Sequence, residues 1–188
     1  MTAWIRRSIY VALLTTVMAA PAAAQTRVPD RGMGAIGLWG GFALPSEDVL
    51  SEGAYFGVSG EWYATPRVAI RGLFGGAFLD VSGGGLDGKV SPMFLTGNVV
   101  HNWERGKWHP YVGGGVGWYR YRFGEGDNRL SDDKVGANVG GGIEYFFTRR
   151  DVIAGDVTFH IVPGHADSFV WDYQARFFTI AAGYKRYF

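Results

Sequence analysis

The sequence contains no cysteine, which excludes a disulfide-stapled scaffold and a thiolate-held metal site. It has no basic excess either. The 188 residues sum to a net charge of +1, and without Arg6 and Arg7 of the first 24 residues to −1 (+1 − 2). That balance gives a nucleic-acid partner no electrostatic support. Beyond residue 24 no apolar stretch approaches the roughly 20 residues that a membrane helix needs. No segment longer than ten residues keeps a 3.6-residue apolar period, so helices are not expected. The histidines His101, His109, His160 and His165 share no ligand spacing, and neither a metal nor another cofactor is expected.

What is present begins with an address. Arg6 and Arg7 precede an uncharged apolar run over residues 9–20, and Ala22-Ala23-Ala24 puts small residues ahead of Gln25. This is the layout of a secretory signal peptide cleaved after Ala24. The run is too short for a retained membrane span. Residues 1–24 are thus expected to be the signal, and residues 25–188 a single domain. All 30 glycines lie beyond Gln25, alongside abundant aromatic and β-branched residues. Glycine disfavours helix interiors, and the aromatics argue against disorder, which leaves ordered β structure.

Period-two patterning divides that domain into eight expected strands, over 33–43, 54–64, 67–78, 92–103, 109–123, 134–147, 151–162 and 173–188. Pro66, residues 104–107 and Arg149-Arg150 mark short turns. Residues 43–53, 79–91, 124–133 and 163–172 read as longer polar loops. Alternation of short and long joints predicts up-and-down hairpins, with short turns at one end and long loops at the other. If such a sheet enters a membrane it must close, because an open edge leaves backbone groups unpaired in hydrocarbon.

The two faces of each strand differ. Phe56, Val58 and Trp62 alternate with Gly57, Ser59 and Glu61; Val68, Ile70, Phe74 and Phe78 with Ala69, Arg71, Gly75 and Ala77. Met93, Leu95 and Val99 oppose Thr96, Asn98 and Asn102; Ile153, Val157, Phe159 and Ile161 oppose Asp156, Thr158 and His160. An eight-stranded barrel has little interior room, so the small and polar face is expected inside, with Asn138 on it, and the bulky face, including Ile180, outside. In residues 109–123, Arg120 and Arg122 are expected inward, with Tyr119, Tyr121 and Phe123 outward. Aromatics near both strand ends are expected to form two headgroup-level girdles. One is expected from Trp62, Tyr63, Trp103, Trp108, Tyr111, Tyr145, Phe147, Tyr187 and Phe188. The other is expected from Trp39, Phe42, Tyr55, Phe56, Phe78, Tyr119, Tyr121, Trp171 and Tyr173.

Three passages resemble the small OmpA/OmpX-like outer-membrane barrel family: IGLWGGF at 36–42, HPYVGGGVGWYRYRF at 109–123, and AAGYKRYF at 181–188 with its C-terminal Phe188. The resemblance spans essentially the whole chain after the signal. It implies an all-β, eight-stranded antiparallel up-and-down transmembrane β-barrel in a Gram-negative-type cell outer membrane. It also implies contact with outer-membrane lipid and lipopolysaccharide. Insertion would be by the barrel-assembly machinery, with Gly183, Tyr184 and Phe188 in the recognised last strand. The length leaves no room for the periplasmic peptidoglycan-binding domain of some relatives. Activity is open, since members are structural barrels, adhesins, narrow channels and a few lipid-modifying enzymes.

Candidate chemistry concentrates in one charged layer of the lumen: Glu61, Arg71, Glu144, Asp156 and Lys185. Glu61 and Arg71 are equidistant from Pro66, and Glu144 and Asp156 from Arg150, so each pair is expected face to face. Lys185 is expected to approach Asp156, leaving Glu144 the least neutralised. The layer reads as a structural plug, with a gate or narrow ion path as the alternative. His165, Asp167 and Ser168, above His160, contain the residue types of a serine hydrolase, but nothing orients them. Gly113-Gly114-Gly115-Val116-Gly117 lacks the helix and Lys-Ser/Thr of a phosphate loop. Gly37-Leu38-Trp39 echoes the lipocalin Gly-x-Trp, yet a lipocalin would carry the opposite facing. A non-enzymatic barrel with a structural or surface-interaction role is therefore expected, its loops free to meet an extracellular partner. The alternatives are a narrow channel or transporter of small apolar molecules, and a lipid-A-modifying enzyme.

Overall fold

A computed structural model describes residues 29–46, 51–83, 86–123, 130–163 and 175–188. The signal region and the loop that carries His165, Asp167, Ser168, Trp171 and Tyr173 lie outside the described residues. The eight strands are β1 (Gly34–Pro45), β2 (Gly53–Thr65), β3 (Val68–Gly83), β4 (Leu86–Asn102), β5 (Trp108–Phe123), β6 (Leu130–Phe146), β7 (Asp151–Val162) and β8 (Ala175–Tyr187). Each pairs antiparallel with the next, and β8 pairs antiparallel with β1, from Ala35↔Tyr187 to Pro45↔Phe177. Reciprocal backbone hydrogen bonds between Gly34 and Phe188 finish that seam at 3.1 and 3.0 Å. Closure removes the edges that would otherwise template pairing with another chain.

One expected loop is mostly strand. β3 and β4 continue as a ribbon to the pair Gly83↔Leu86. Over 79–91 the Gly, Asp and Ser content hides the strand, because turn-favouring residues are tolerated where neighbouring chains supply the ladder hydrogen bonds.

The facing is inside-out relative to a water-soluble barrel. Val58, Ile70, Phe74, Leu95, Val99, Val157 and Ile180 are all more than 40% exposed, whereas Glu61, Arg71, Asn98, Glu144 and Lys185 are buried. Val68 and Phe159 are half-buried on the outer parity, and Asn138 is buried on the inner one. An apolar belt this broad around a closed sheet has the area and continuity of a surface that meets an apolar medium.

Strand β5 corrects one expectation. Tyr119 and Tyr121 are buried in the barrel, while Arg122 is exposed on the outside. Arg120 also faces out, donating from Nε and Nη2 to Asp133 at 2.7 Å each and lying 4.8 Å over the Trp118 ring. The strand keeps one parity from His109 through Tyr111 to Tyr121, without a bulge. The inward glycines Gly113, Gly115 and Gly117 leave room for rings at both ends. Half of the expected girdle is therefore outside: Trp62, Trp103, Phe147, Phe188 and the half-buried pair Trp108 and Tyr145 at the turn end, Phe42, Phe56 and Phe78 at the other. Trp39, Tyr55, Tyr63, Tyr111 and Tyr187 point inward instead.

Candidate functional site: the filled lumen

The floor of the lumen lies at the short-turn end. Tyr63 and Tyr187 share a hydrogen bond of 3.0 Å, and Asn102 Nδ2 donates to the Tyr63 hydroxyl at 2.8 Å. Phe146 packs on Tyr187 with ring centres 5.3 Å apart, and His109 packs on Phe146 at 4.5 Å. These groups come from β2, β4, β5, β6 and β8, so the floor ties opposite walls together.

Above it sits the charged layer, with all five expected residues in one connected cluster. The β2–β3 register pairs Glu61 with Arg71, and Arg71 Nε donates to Glu61 Oε1 at 2.6 Å. Lys185 Nζ lies 2.8 Å from the Glu61 carboxylate and also donates to Glu144. The Tyr187 hydroxyl donates to the other Glu144 oxygen at 2.8 Å. Glu144 is thus well neutralised, contrary to expectation. Lys185 bridges two carboxylates across the barrel and does not pair with Asp156.

Asp156 belongs to the Arg71 side. Arg71 Nη1 is 3.5 Å from Asp156 Oδ2, the Tyr111 hydroxyl donates to the same oxygen at 2.6 Å, and Thr158 donates to Oδ1 at 2.7 Å. Here the expected register was off by two. Glu144 stands opposite Ala154, and Asp156 opposite Gly142, because the β6–β7 turn is centred on Arg149 rather than Arg150. Gly142 is required at that place: a Cβ would meet the Gly155 carbonyl at 2.1 Å and the Tyr111 hydroxyl at 2.6 Å. The guanidinium of Arg71 lies 4.6 Å over the Tyr111 ring and 5.8 Å over Trp39, whose Nε1 donates to Ser59 at 2.9 Å. Sequence reasoning missed Tyr111 and Tyr187 as ligands of the carboxylates. The even spacing of Tyr187 from Lys185, and of Tyr111 from His109, held the signal.

A cavity of about 30 Å³ lies above the layer, among Arg71, Asn98, Tyr111, Asn138, Asp156 and Thr158. That is space for about two waters. Among the described residues, Arg71 Nη2 and Asn98 Oδ1 have no hydrogen-bond partner.

An aromatic cluster occupies the lumen towards the long-loop end. Phe94 stands with its ring centre 4.9 Å from His160 and 5.7 Å from Tyr119, and His160 stacks on Phe177 at 4.4 Å. His160 is held at both ring nitrogens, by the Tyr119 hydroxyl at 3.0 Å and the Thr179 hydroxyl at 3.3 Å. It is a packed interior histidine. Among the described residues no group of three or more His, Asp or Glu is placed to hold a metal ion. The glycine run at 113–117 is plain β5 strand. The lumen thus holds an aromatic floor, an ion cluster and an aromatic cap, an arrangement suited to filling space and balancing charge rather than to binding a large ligand.

Comparison with known proteins bears on the fold. No family model and no curated protein matches the sequence. Solved structures do. Neisserial surface protein A (NspA) is 14% identical with a TM-score of 0.67, covering 83% of this chain and 99% of that one. The N-terminal β-barrel domain of Pseudomonas aeruginosa OprF is 14% identical with a TM-score of 0.58, covering 85% and 100%. Ail, the attachment invasion locus protein of Yersinia pestis, is 16% identical with a TM-score of 0.58, covering 84% and 99%. The chain has the closed eight-stranded antiparallel fold of small OmpA-like and OmpX-like outer-membrane barrels.

Proposed function

We propose that this chain is an integral outer-membrane barrel with a sealed lumen and a structural or surface-interaction role, without chemistry of its own. The observation that carries the reading is the inversion of the barrel, with a bulky apolar belt outside and paired charges inside. In water such a belt would drive aggregation; in hydrocarbon it is the stable face. Export through residues 1–24 and assembly through the last strand, with Gly183, Tyr184 and Phe188, fit this reading. In it, Phe188 completes the β1–β8 seam. Lipid and lipopolysaccharide surround the belt, and the long connections are the face available to an extracellular partner. The names of NspA and Ail, a surface protein and an attachment protein, are in keeping with that use of the fold.

The membrane part is tested by single-tryptophan variants folded into vesicles of brominated lipid. Trp118, on the belt, should be quenched by bromines on the acyl chain, and Trp39, inside the lumen, should not. Equal quenching of both, or none of Trp118, would sink the reading. The enzymatic alternative is tested separately, by mass spectra of lipid A from cells with and without the protein. An unchanged acylation pattern is expected.

A further inference from the structure

The connections at the two ends of the strands differ in charge along the sequence. At the short-turn end, residues 29–33, 66–67, 103–107 and 147–150 contain six bases, Arg31, Arg67, Arg105, Lys107, Arg149 and Arg150, against two acids. The four stretches joining strands at the other end, 46–52, 84–85, 124–129 and 163–174, contain seven acids and one base. Such a gradient is not needed to hold the sheet together.

The bases are spread around the circumference. The closed order from β1 to β8 puts the three turns at every second gap between strands, and Arg31 precedes Gly32 and Met33, which bond to Tyr63 of β2. Arg67, Arg105, Lys107, Arg149 and Arg150 form no ion pair among the described residues. Arg186, on β8, pairs with Asp151 at 3.3 Å. An exposed aromatic precedes the bases in the chain at each turn: Trp62 before Arg67, Trp103 before Arg105, Phe147 before Arg149. Rings that sit at the hydrocarbon boundary, with long cationic side chains reaching past them, are the arrangement that meets lipid phosphate.

From this geometry we infer that the turn end is a collar for anionic phospholipid headgroups, binding an annulus of them in the leaflet on that side. A polymer or a globular acidic partner would use a compact patch on the end face. A ring at the perimeter, with one aromatic-base pair per turn, fits many small anionic groups around the wall. The inference rests on the membrane reading above, and the following experiment separates the two.

The full mature chain is folded into phosphatidylcholine vesicles, and insertion is read by protease protection. Association of spin-labelled phosphatidylglycerol is then compared with that of spin-labelled phosphatidylcholine. The collar predicts preferential association of the anionic probe by about fivefold at low ionic strength, decaying as salt rises. The variant R67Q/R105Q/K107Q/R149Q/R150Q should insert as well as the parent and lose the preference. If the variant folds poorly, salt titration of the parent alone decides the same point. Equal association of the two probes with an inserted parent overturns the collar and leaves the membrane reading intact, as does a preference unmoved by salt. Failure to insert at all overturns both. Sedimentation with purified peptidoglycan sacculi, without selection of the anionic lipid, would assign the ring to that polymer and contradict the lipid annulus.

Discussion

Lys185 meets Glu61 and Glu144 at once and has no solvent exposure. Its stem passes close to Gly37, where a Cβ would meet the Lys185 Cγ at 3.0 Å and the Ser59 hydroxyl at 2.6 Å. Removing one member of a buried charge cluster leaves the others without compensation, at a cost of about 3–5 kcal/mol. Lys185→Met is therefore expected to lower unfolding stability in urea by that order. The double variant Lys185→Met with Glu144→Gln should recover part of the loss, since it removes the carboxylate that Lys185 neutralises, whereas Glu61 keeps Arg71. Full additivity of the two losses would contradict the bridge. At this scale the sequence revealed part of the cluster. Glu61 and Arg71 are hairpin neighbours, and a short turn fixes which residues face each other. The partners of Lys185 depend on which side chains meet across a lumen, and no local spacing reports that. Glu144 illustrates the consequence, with its counter-ion on a strand more than forty residues away.

For a strand, alternation is the informative quantity, and it must be carried from a well-determined end. In β2, β3, β4 and β7 the bulky and polar residues separate cleanly, so the sequence already assigns their faces. In β5 the segment Trp118–Phe123 alternates rings with arginines, and both faces look amphipathic. Counting from His109, buried beside Phe146, settles it: the odd positions point inward. Tyr121→Ala should then cost about 3 kcal/mol through the emptied interior. Arg122→Ala, on the outside near the rim, should change the thermal midpoint very little. The opposite ranking would show that the parity of β5 is reversed. On β2, Val58→Arg places a charge on the belt and is expected to cost about 2–4 kcal/mol near the bilayer midplane, read as reduced folding yield and lower urea stability in vesicles. The β3–β4 ribbon was hidden for another reason. Gly, Asp and Ser mark turns in isolated chains, but two paired strands can hold them extended.

For the whole molecule, closure, strand number and inside-out facing all follow from period-two patterning joined to the absence of any helix-length apolar run. The contents of the lumen do not, because small residues inside were expected and large rings were found. Glycines at one level of the wall admit Tyr and Phe at the next, so the floor and cap are built from neighbouring strands together and belong to no single motif. The consequence is a barrel whose interior holds packed side chains at three heights: Tyr63 with Tyr187 and Phe146 at the floor, the five-residue ion cluster, and Phe94 with His160 and Phe177 above. A cavity of about 30 Å³ lies above the ion cluster, room for about two waters.

Ion conductance in planar bilayers, with insertion verified in parallel by protease protection of the same preparation, tests this closure most directly. The sealed lumen predicts that the inserted wild-type protein gives no stepwise current above the bare bilayer at moderate voltage. Stable ohmic steps from the inserted wild-type barrel would contradict it.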